Sequence, residues 1–236
     1  NPLYEKGGFG LFETHYYGGI KKYQYTTIPL SLVGIIYKKD GSHVDVSLGE
    51  EEKDPVFGIS DLLIHLSAEQ MQKPANKVVE GENLDITMGN IPLDEKKEGV
   101  KRNILHLFFE KYGIEEEDFL SAELCAVPAY PARDYGLDAS MVCGYGQDDK
   151  VCAYTSLRAI LEMDEVEYTS LCVLVDKEEV GSIGATGAQS QWMENVILEM
   201  LFKQSKSDLL SFRKALSNSK MLSSDVSCGV DPLYAF

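Results

Sequence analysis

Several features are scarce in these 236 residues, and each shortage excludes a class of protein. Basic residues are few, 22 Lys and Arg against 38 Asp and Glu, so the net charge is −16. Nucleic-acid grooves and anionic membrane surfaces select for Lys and Arg, and we expect neither as a partner. No apolar run approaches the ~20 residues of a membrane-spanning helix. Internal repeats and low-complexity tracts are also lacking, and the 44% hydrophobic content is that of a folded globular protein.

Cysteine is infrequent, and the cysteines are not spaced as a metal-binding or redox pair. The five cysteines are odd in number, and none forms a Cys-x-x-Cys pair. Four of them lie in stretches that are predicted to be strand or helix, so we expect reduced, buried thiols and a cytoplasmic location. The sequence starts at Asn1-Pro2, without an initiator Met or a signal-like segment, which is typical of a processed or cut end.

The first half of the chain is predicted to be β-rich. The apolar run 28–38, the dipeptide Asp40-Gly41 and the alternating run 43–48 predict a hairpin with a type I′ turn. Further elements follow from apolar periodicity: strands at 83–88 and 119–127, and helices at 61–73 and 100–112. In the last helix Val100, Ile104, Leu107 and Phe108 share one face, and Gly113 ends it.

The second half is predicted to mix helices and strands. The predicted helices are 149–163, 190–203 and a short one capped by Ser207 or Asp208, and the predicted strands are 168–175 and 220–224. This alternation is typical of an α/β domain. Pro128 and Pro131 mark the expected boundary between the halves, at about 128–133.

The carboxylates after the predicted strand 168–175 are the first candidate for chemistry. Glu178 and Glu179 follow an apolar run, and ligands of open α/β sheets bind beyond the carboxyl ends of strands. Such a pair is either part of a solvated loop or part of a metal site. In a metal site, one glutamate ligates and its neighbour acts as general base on the metal-bound water.

Two further acidic positions favour the metal site. Asp148 and Asp149 lie at a loop-to-helix junction, where Asp149 is expected to be the N-cap. Asp225 ends the predicted strand 220–224. Acidic groups at the ends of several elements of one α/β unit can converge on a divalent cation.

The loop after these glutamates contains Gly181, Gly184 and Gly187. Their spacing differs from the G-x-G-x-x-G of a dinucleotide site, and the preceding carboxylates would repel a pyrophosphate. We therefore predict a tight backbone turn beside the site.

Histidine occurs only four times. His106, in the predicted helix 100–112, and His43, in the strand after the hairpin turn, are predicted to be structural. His65 stands among four aliphatic residues, which predicts a half-buried side chain with a polar partner.

Longer motifs make the sequence resemble a known family. They are Gly-Gln-Asp-Asp-Lys-Val-Cys-Ala-Tyr-Thr-Ser-Leu-Arg-Ala at 146–159, Val-Asp-Lys-Glu-Glu-Val-Gly-Ser at 175–182 and Ser-Ser-Asp-Val at 223–226. Over its whole length the chain resembles the aminopeptidase I / aspartyl aminopeptidase family of zinc exopeptidases. The stretches Tyr-Tyr-Gly-Gly-Ile at 16–20, Pro-Ala-Arg-Asp at 131–134 and Gly-Leu-Asp at 136–138 resemble its bacterial branch.

The resemblance implies a role for each candidate side chain. Asp148 matches a carboxylate that bridges two metal ions, and Glu179 and Asp225 match terminal ligands of one ion each. Glu178 matches the general base. The resemblance implies two divalent metal ions per subunit, zinc first, with cobalt or manganese as alternatives. His65 matches a histidine that enters the site of a neighbouring subunit to help hold substrate.

The resemblance also implies a fold and an assembly. We expect a partial α/β catalytic domain of the zinc-exopeptidase type with an inserted β-rich dimerisation domain. The dimerisation domain would cover 1–132, its first few residues being assignable also to the catalytic domain, and the incomplete metallopeptidase domain 133–236. Dimers of family members assemble into dodecamers, so we expect a homo-oligomer that acts on peptides.

The family's first and last metal-binding histidines find no match here, so the chain resembles the central half of a family member. We predict a metal-dependent aminopeptidase that removes N-terminal residues from peptides. The alternative is a truncated, non-catalytic oligomeric fragment of such an enzyme. A third hypothesis, a related metal-dependent carboxypeptidase or deacylase, predicts activity on N-blocked substrates.

Overall fold

The chain divides into two compact units, Asn1–Cys143 and Gly144–Phe236. The computed structural model describes residues 2–16, 18–206 and 208–234. Tyr17, which belongs to the motif at 16–20, and Ser207, one of the two predicted helix caps, lie outside the described residues. The sequence places the boundary at 132/133, whereas the first compact unit extends to residue 143 and includes a short hairpin.

Alternating apolar residues build two three-stranded antiparallel sheets among the described residues of the first unit. One sheet has the order β1-β2-β5, formed by β1 (Leu3–Lys6), β2 (Phe9–Phe12) and β5 (Ile86–Gly89). The other has the order β4-β3-β6, formed by β3 (Leu30–Tyr37), β4 (His43–Leu48) and β6 (Ala122–Pro128). The hairpin of β7 (Arg133–Tyr135) and β8 (Met141–Cys143) follows. The predicted β-rich character of this half is confirmed.

The turn between β3 and β4 lies at the predicted place but has another type. Gly41 donates its N–H to the carbonyl of Lys38 (3.0 Å), and Lys38 donates to Ser42 (2.8 Å). Gly41 has a φ of 85°, whereas Lys39 and Asp40 keep negative φ. The type I′ prediction is wrong because the loop holds three residues, which a type I turn and a left-handed glycine close.

The helix α1 (Gly99–Tyr112) ends at Gly113, whose φ is 62°, as predicted. It buries Val100, Ile104 and Phe108, but Leu107 is 54% exposed, contrary to prediction. The buried stripe follows the i, i+4 row alone, and Leu107 lies about 100° around the helix from Phe108.

The predicted helix 61–73 is wrong. The segment instead forms two separate 3₁₀ turns, Ile64–Leu66 and Gln70–Gln72. Its aliphatic residues stand side by side in sequence, so they define no stripe at helical spacing that could pack on a core.

One hydrophobic core joins both sheets and α1. At its centre the rings of Phe12 and Phe119 lie 5.3 Å apart, as do those of Phe108 and Phe119, both in edge-to-face geometry. Rings at this distance and angle attract each other beyond their simple burial. Leu30 and Ile36 of β3 are also almost fully buried, so the sheet β4-β3-β6 contributes to the same core.

Among its described residues, the second unit contains three α-helices: α2 (Gln147–Leu161), α3 (Trp192–Lys203) and α4 (Leu209–Asn218). All three were predicted. Asp208 caps α4 as expected, since its carboxylate accepts the N–H of Ser211 (2.9 Å). Among the described residues of the chain, no helix combines the length and the apolar character needed to cross a bilayer.

The predicted strands 168–175 and 220–224 are wrong, because neither stretch finds a neighbour to form a hydrogen-bonded ladder. Within 168–175 Leu171 is 49% exposed, and within 220–224 Leu222 is 99% exposed. Over the part of the unit that the structure describes, the pairing that forms is a single parallel bridge between Asp176 and Gly187. This corrects the predicted α/β alternation, although the chain as a whole is a mixed α/β structure.

All five cysteines are free thiols. Cys125, Cys152 and Cys172 are partly buried, whereas Cys143 and Cys228 are exposed. The expected burial is therefore wrong for the last two.

Candidate metal centre

Three aspartates of the second unit come together. Asp148, Asp149 and Asp225 each offer a carboxylate oxygen, and these oxygens all lie within 4.8 Å of one another. We call these three residues the carboxylate group. Among residues 2–16, 18–206 and 208–234, they are the one set of at least three potential metal ligands. Two of its members, Asp148 and Asp225, are predicted ligands.

The start of α2 shapes this arrangement. Gly146, with φ of 72°, occupies the cap position, and the φ and ψ angles of Asp148 (−86°, 109°) and Asp149 (−116°, 27°) depart from helical values. The expected role of Asp149 as N-cap is wrong, since Gly146 occupies the cap position. The irregular backbone turns both aspartates away from the directions that a regular helix would impose.

Asp149 carries an unsatisfied polar atom. Its Oδ1 is buried and has no hydrogen-bond partner. A buried carboxylate oxygen without a donor is costly, and a bound cation supplies the missing interaction. Asp225, by contrast, is exposed, and its Oδ1 accepts the N–H of Val226 (2.7 Å).

The thiol of Cys152 lies beside these carboxylates. A hydrogen bond with Ser224 lowers its pKa, which is the effect of a hydroxyl that donates to Sγ. The hydrogen bond to Asp149, burial and the charges of Asp149 and Asp225 outweigh it, so the pKa of Cys152 lies above its ordinary value. The thiol therefore stays protonated at neutral pH.

Glu178 and Glu179 lie outside the carboxylate group. They form a single 3₁₀ turn with Val180, between Lys177 and Gly181, whose φ angles are 67° and 82°. Both glutamates are exposed. Lys177 forms an ion pair with Asp176 (3.0 Å) just before the turn.

The loop that follows is tightly folded, as its glycines predicted. Ser182 donates its N–H to the carbonyl of Lys177 (2.7 Å), and Gln189 donates from Nε2 to the carbonyl of Gly181 (2.6 Å). A Cβ at Gly187 would stand 2.1 Å from the carbonyl oxygen of Ser182. Only glycine fits at this point of the loop.

His65 belongs to the first unit, on the 3₁₀ turn Ile64–Leu66. Its side chain is exposed rather than half-buried as predicted, and Leu63, Ile64 and Leu66 around it are 56–68% exposed. Water can satisfy its ring nitrogens, which removes the reason to expect a buried partner.

The donor set fits one divalent cation. Carboxylate oxygens bind zinc in proteins, and three protein ligands with a fourth position left for water are typical of catalytic zinc. An all-oxygen set also suits manganese. The orphaned Oδ1 of Asp149 is the feature of this structure that a bound cation would satisfy.

Asp149 and Cys152 are the members of this site that sequence reasoning missed. Asp149 immediately follows Asp148. Sequence reasoning assigned it to the helix N-cap, which is a common role for an aspartate at a helix start. Cys152 carried no signal, because its partner Ser224 belongs to a distant segment.

The fold agrees with comparisons to known proteins. The family model described as "Aminopeptidase I zinc metalloprotease (M18)" matches residues 2–236. This chain belongs to the M18 family. A probable M18 family aminopeptidase 1 of Clostridium acetobutylicum is 58% identical over 99% of this chain and 51% of its own length.

Solved structures of the family share the chain trace. The crystal structure of aminopeptidase I from Clostridium acetobutylicum has a TM-score of 0.85 at 57% identity, covering 99% of this chain and 51% of that one. The aminopeptidase from Thermotoga maritima has a TM-score of 0.82 at 40% identity, covering 99% and 52%. The S. cerevisiae mApe1 dodecamer shares the fold, at a TM-score of 0.59 and 21% identity over 99% and 52%. The chain spans about half the length of the relatives it matches.

Proposed function

We propose that this chain carries part of the catalytic centre of a metal-dependent aminopeptidase, which removes N-terminal residues from peptides. The observation that supports this most is the convergence of Asp148, Asp149 and Asp225 within 4.8 Å, in a chain of a zinc metalloprotease family. Two of the three carboxylates stand at the positions that match family ligands.

The three aspartates would hold a divalent cation through their carboxylate oxygens. A zinc ion in such a site lowers the pKa of a bound water and polarises a carbonyl. Negative charge from three carboxylates also favours the free ammonium end of a peptide over a blocked one. The three aspartates would therefore help to select peptides with a free amino end.

Glu178 is the proposed general base. Its carboxylate would accept a proton from the attacking water and pass it to the leaving amine. It lies on an exposed turn between two left-handed residues, Lys177 and Gly181, so its carboxylate is open to substrate and water.

Glu179 is the proposed ligand of a second ion, with Asp148 shared between the two. Two ions per subunit, zinc with cobalt or manganese as alternatives, rest on the resemblance, since the carboxylate group provides for one. His65 is proposed to reach the site of a neighbouring subunit, in dimers that assemble into a dodecamer. A cytoplasmic location completes the proposal.

Zinc binding tests the site first. Isothermal titration with zinc alone should show binding that Asp148→Asn or Asp225→Asn weakens by about 10-fold or more, because each variant loses an anionic ligand. Asp164→Asn, a change of an exposed aspartate outside the group, is the matched control and should bind like the unsubstituted protein. Equal affinity in all four proteins would contradict the site.

A peptide assay tests the activity. A peptide with a free amino end should be shortened from that end, whereas its N-acetylated form should stay intact. Chelation should stop the reaction and zinc should restore it. Cleavage of the acetylated peptide would favour the carboxypeptidase or deacylase hypothesis, and zinc binding without cleavage would favour a non-catalytic oligomeric fragment.

A further inference from the structure

The turn that carries Glu178 and Glu179 lies between two residues in an unfavourable backbone conformation. We call residues 178–181 the glutamate turn. Lys177, before the turn, and Ser182, after it, have φ angles of 67° and 59°. Residues with a Cβ rarely adopt such left-handed angles, and they keep them only where neighbouring contacts hold them. The position of both glutamates therefore depends on the contacts at the two ends of the turn.

Backbone hydrogen bonds fix the first end of the glutamate turn. The N–H of Asp176 donates to the carbonyl of Thr186 (3.0 Å). The carbonyl of Lys177 accepts the N–H groups of Val180 (3.2 Å) and Ser182 (2.7 Å). Since all three bonds join backbone atoms, they depend little on the side chains of the loop.

The side chain of Gln189 makes a contact at the second end. Its Nε2 donates to the carbonyl of Gly181 (2.6 Å), and its backbone N–H donates to the carbonyl of Ser182 (3.2 Å). Gly181 has a φ of 82° and donates its own N–H to the carbonyl of Glu178 (2.9 Å). Gln189 therefore holds two successive carbonyls, and the first belongs to the residue that closes the turn.

We propose that Gln189 is a positioning residue, whose side-chain amide fixes the second end of the glutamate turn and thereby the direction of Glu178 and Glu179. This inference rests on the proposed function, in which Glu178 is the general base and Glu179 a metal ligand. Gln189 itself is proposed to touch neither substrate nor metal. A small displacement of a catalytic group lowers the rate strongly, so a contact that fixes the backbone of the base acts on turnover.

Three substitutions isolate the amide of Gln189. Gln189→Met keeps an uncharged side chain of similar length but has no donor, whereas Gln189→Lys supplies a donor at a similar reach. Both variants keep the backbone N–H that bonds to Ser182. Gln191→Met makes the same chemical change at an exposed position two residues further on and is the matched control. Because Gln189 is exposed as well, all three variants should fold.

Hydrogen–deuterium exchange of the metal-free proteins, followed by mass spectrometry, tests the contact itself. The amide hydrogens of residues 178–182 should exchange about 5-fold faster or more in Gln189→Met, because the second end of the turn opens more often. Gln189→Lys should restore slow exchange, and Gln191→Met should match the unsubstituted protein. Exchange in α2 should stay the same in every variant, which would exclude general unfolding.

Steady-state kinetics on a free-amine peptide at saturating zinc tests the consequence. Gln189→Met should lower kcat by about 10-fold and leave KM nearly unchanged, because the contact orients the base rather than the peptide. Gln189→Lys should recover most of kcat. Zinc affinity of the carboxylate group should stay the same, since its three aspartates lie outside the turn. A merely structural role would instead lower kcat, zinc affinity and melting temperature together.

The outcomes are distinct. If the unsubstituted protein cleaves the peptide and Gln189→Met has the same kcat, the positioning role is wrong while the proposed function stands. Unchanged exchange of residues 178–182 in Gln189→Met, or a loss of kcat that Gln189→Lys does not recover, would also overturn the positioning role. If the unsubstituted protein leaves the free-amine peptide intact, the proposed function itself fails. The positioning role then fails with it, even where the exchange data show that Gln189 holds the turn.

Discussion

Single residues determine a close backbone approach in the first unit and the proposed chemistry of the second. Gly34 stands in the middle of β3, paired with Val46 on one side and Leu124 on the other. Its φ is 148°, and a Cβ there would lie 2.0 Å from the backbone oxygen of Glu123. A backbone atom of a central sheet cannot move aside as the end of a flexible side chain can.

Gly34→Ala should therefore destabilise the protein, by about 2 kcal/mol or more, through backbone strain and displacement of β6. Chemical denaturation followed by circular dichroism measures the change. Gly19→Ala, where the added Cβ meets nothing within 4 Å and φ is ordinary, should be nearly neutral. Equal stability of both variants would disprove the close approach at Gly34.

Glu178→Gln tests the proposed base at the same scale. The amide cannot accept the proton of the attacking water, so turnover of a free-amine peptide should fall by about 10²-fold or more. Zinc affinity should stay unchanged, because Glu178 is proposed not to ligate. Glu167→Gln, a change of another exposed glutamate of the unit, should retain full turnover. Substantial activity of Glu178→Gln would reject the assignment.

Between elements, individual side chains join parts of the first unit that are far apart in sequence. Glu5 of β1 accepts the N–H groups of Val100 (2.9 Å) and Lys101 (3.1 Å), which lie in the first turn of α1. No side chain of the helix itself provides a cap. A carboxylate at a helix start satisfies free donors and complements the positive end of the dipole.

Glu5→Ala should lower the free energy of unfolding by about 1–2 kcal/mol, the range for a lost helix cap. Urea denaturation provides the measurement. Glu110→Ala, on the exposed side of the same helix, should change it by less than about 0.5 kcal/mol, as surface substitutions do. A similar effect of both variants would mean that the capping bonds contribute little.

Tyr4 and Asp85 make a second connection, across the sheet β1-β2-β5, by a hydrogen bond from the tyrosine hydroxyl. Burial, with the hydrogen bond and the charge of Asp85, raises the pKa of Tyr4 from 10.0 to about 12. Between these two pKa values the folded state thus holds a proton that the unfolded state has released. The stability that this hydrogen bond contributes is therefore intact below pH 10 and is lost as pH rises toward 12.

Tyr4→Phe should be the less stable protein at neutral pH, by about 1 kcal/mol for the lost hydrogen bond. The difference from the unsubstituted protein should shrink as pH rises above 10, which denaturation at a series of pH values would show. Tyr23→Phe, at an exposed position, controls for the other tyrosines. A difference that stays constant with pH would contradict the assignment.

At the scale of the whole molecule, the exposed apolar surface around His65 bears on assembly. Leu62, Leu63, Ile64 and Leu66 flank His65 in sequence and are 53–68% exposed, and apolar patches of this kind mark interaction surfaces. The proposed role of His65 in a neighbouring subunit requires that this segment meet another copy of the chain.

The double variant Ile64→Glu/Leu66→Glu should reduce the mass of the assembly measured by light scattering, because two charges would be buried at the contact. Zinc binding should persist, since these residues lie outside the carboxylate group. Lys73→Glu, at a nearby exposed position, changes the charge without removing apolar surface. If the unsubstituted protein is a monomer, or if the double variant forms an oligomer of unchanged mass, this surface is not the contact between subunits.

The sequence by itself determined the features that depend on neighbouring residues. Apolar alternation and the Asp40-Gly41 turn predict the β3–β4 hairpin, and periodicity with Gly113 predicts α1, because backbone propensity and local burial act within a few residues. Asp148 and Asp225 were predicted as ligands from carboxylates at the ends of predicted elements and from family motifs, and their carboxylates lie close together.

Tertiary structure decided what depends on partners elsewhere. Strand 168–175 was predicted from its apolar composition, but composition supplies no neighbour for a ladder, and the stretch stays irregular. The approach of Asp225 to Asp149 has the same origin. It is set by which distant segment lies beside α2, since long-range contacts leave no trace in local spacing.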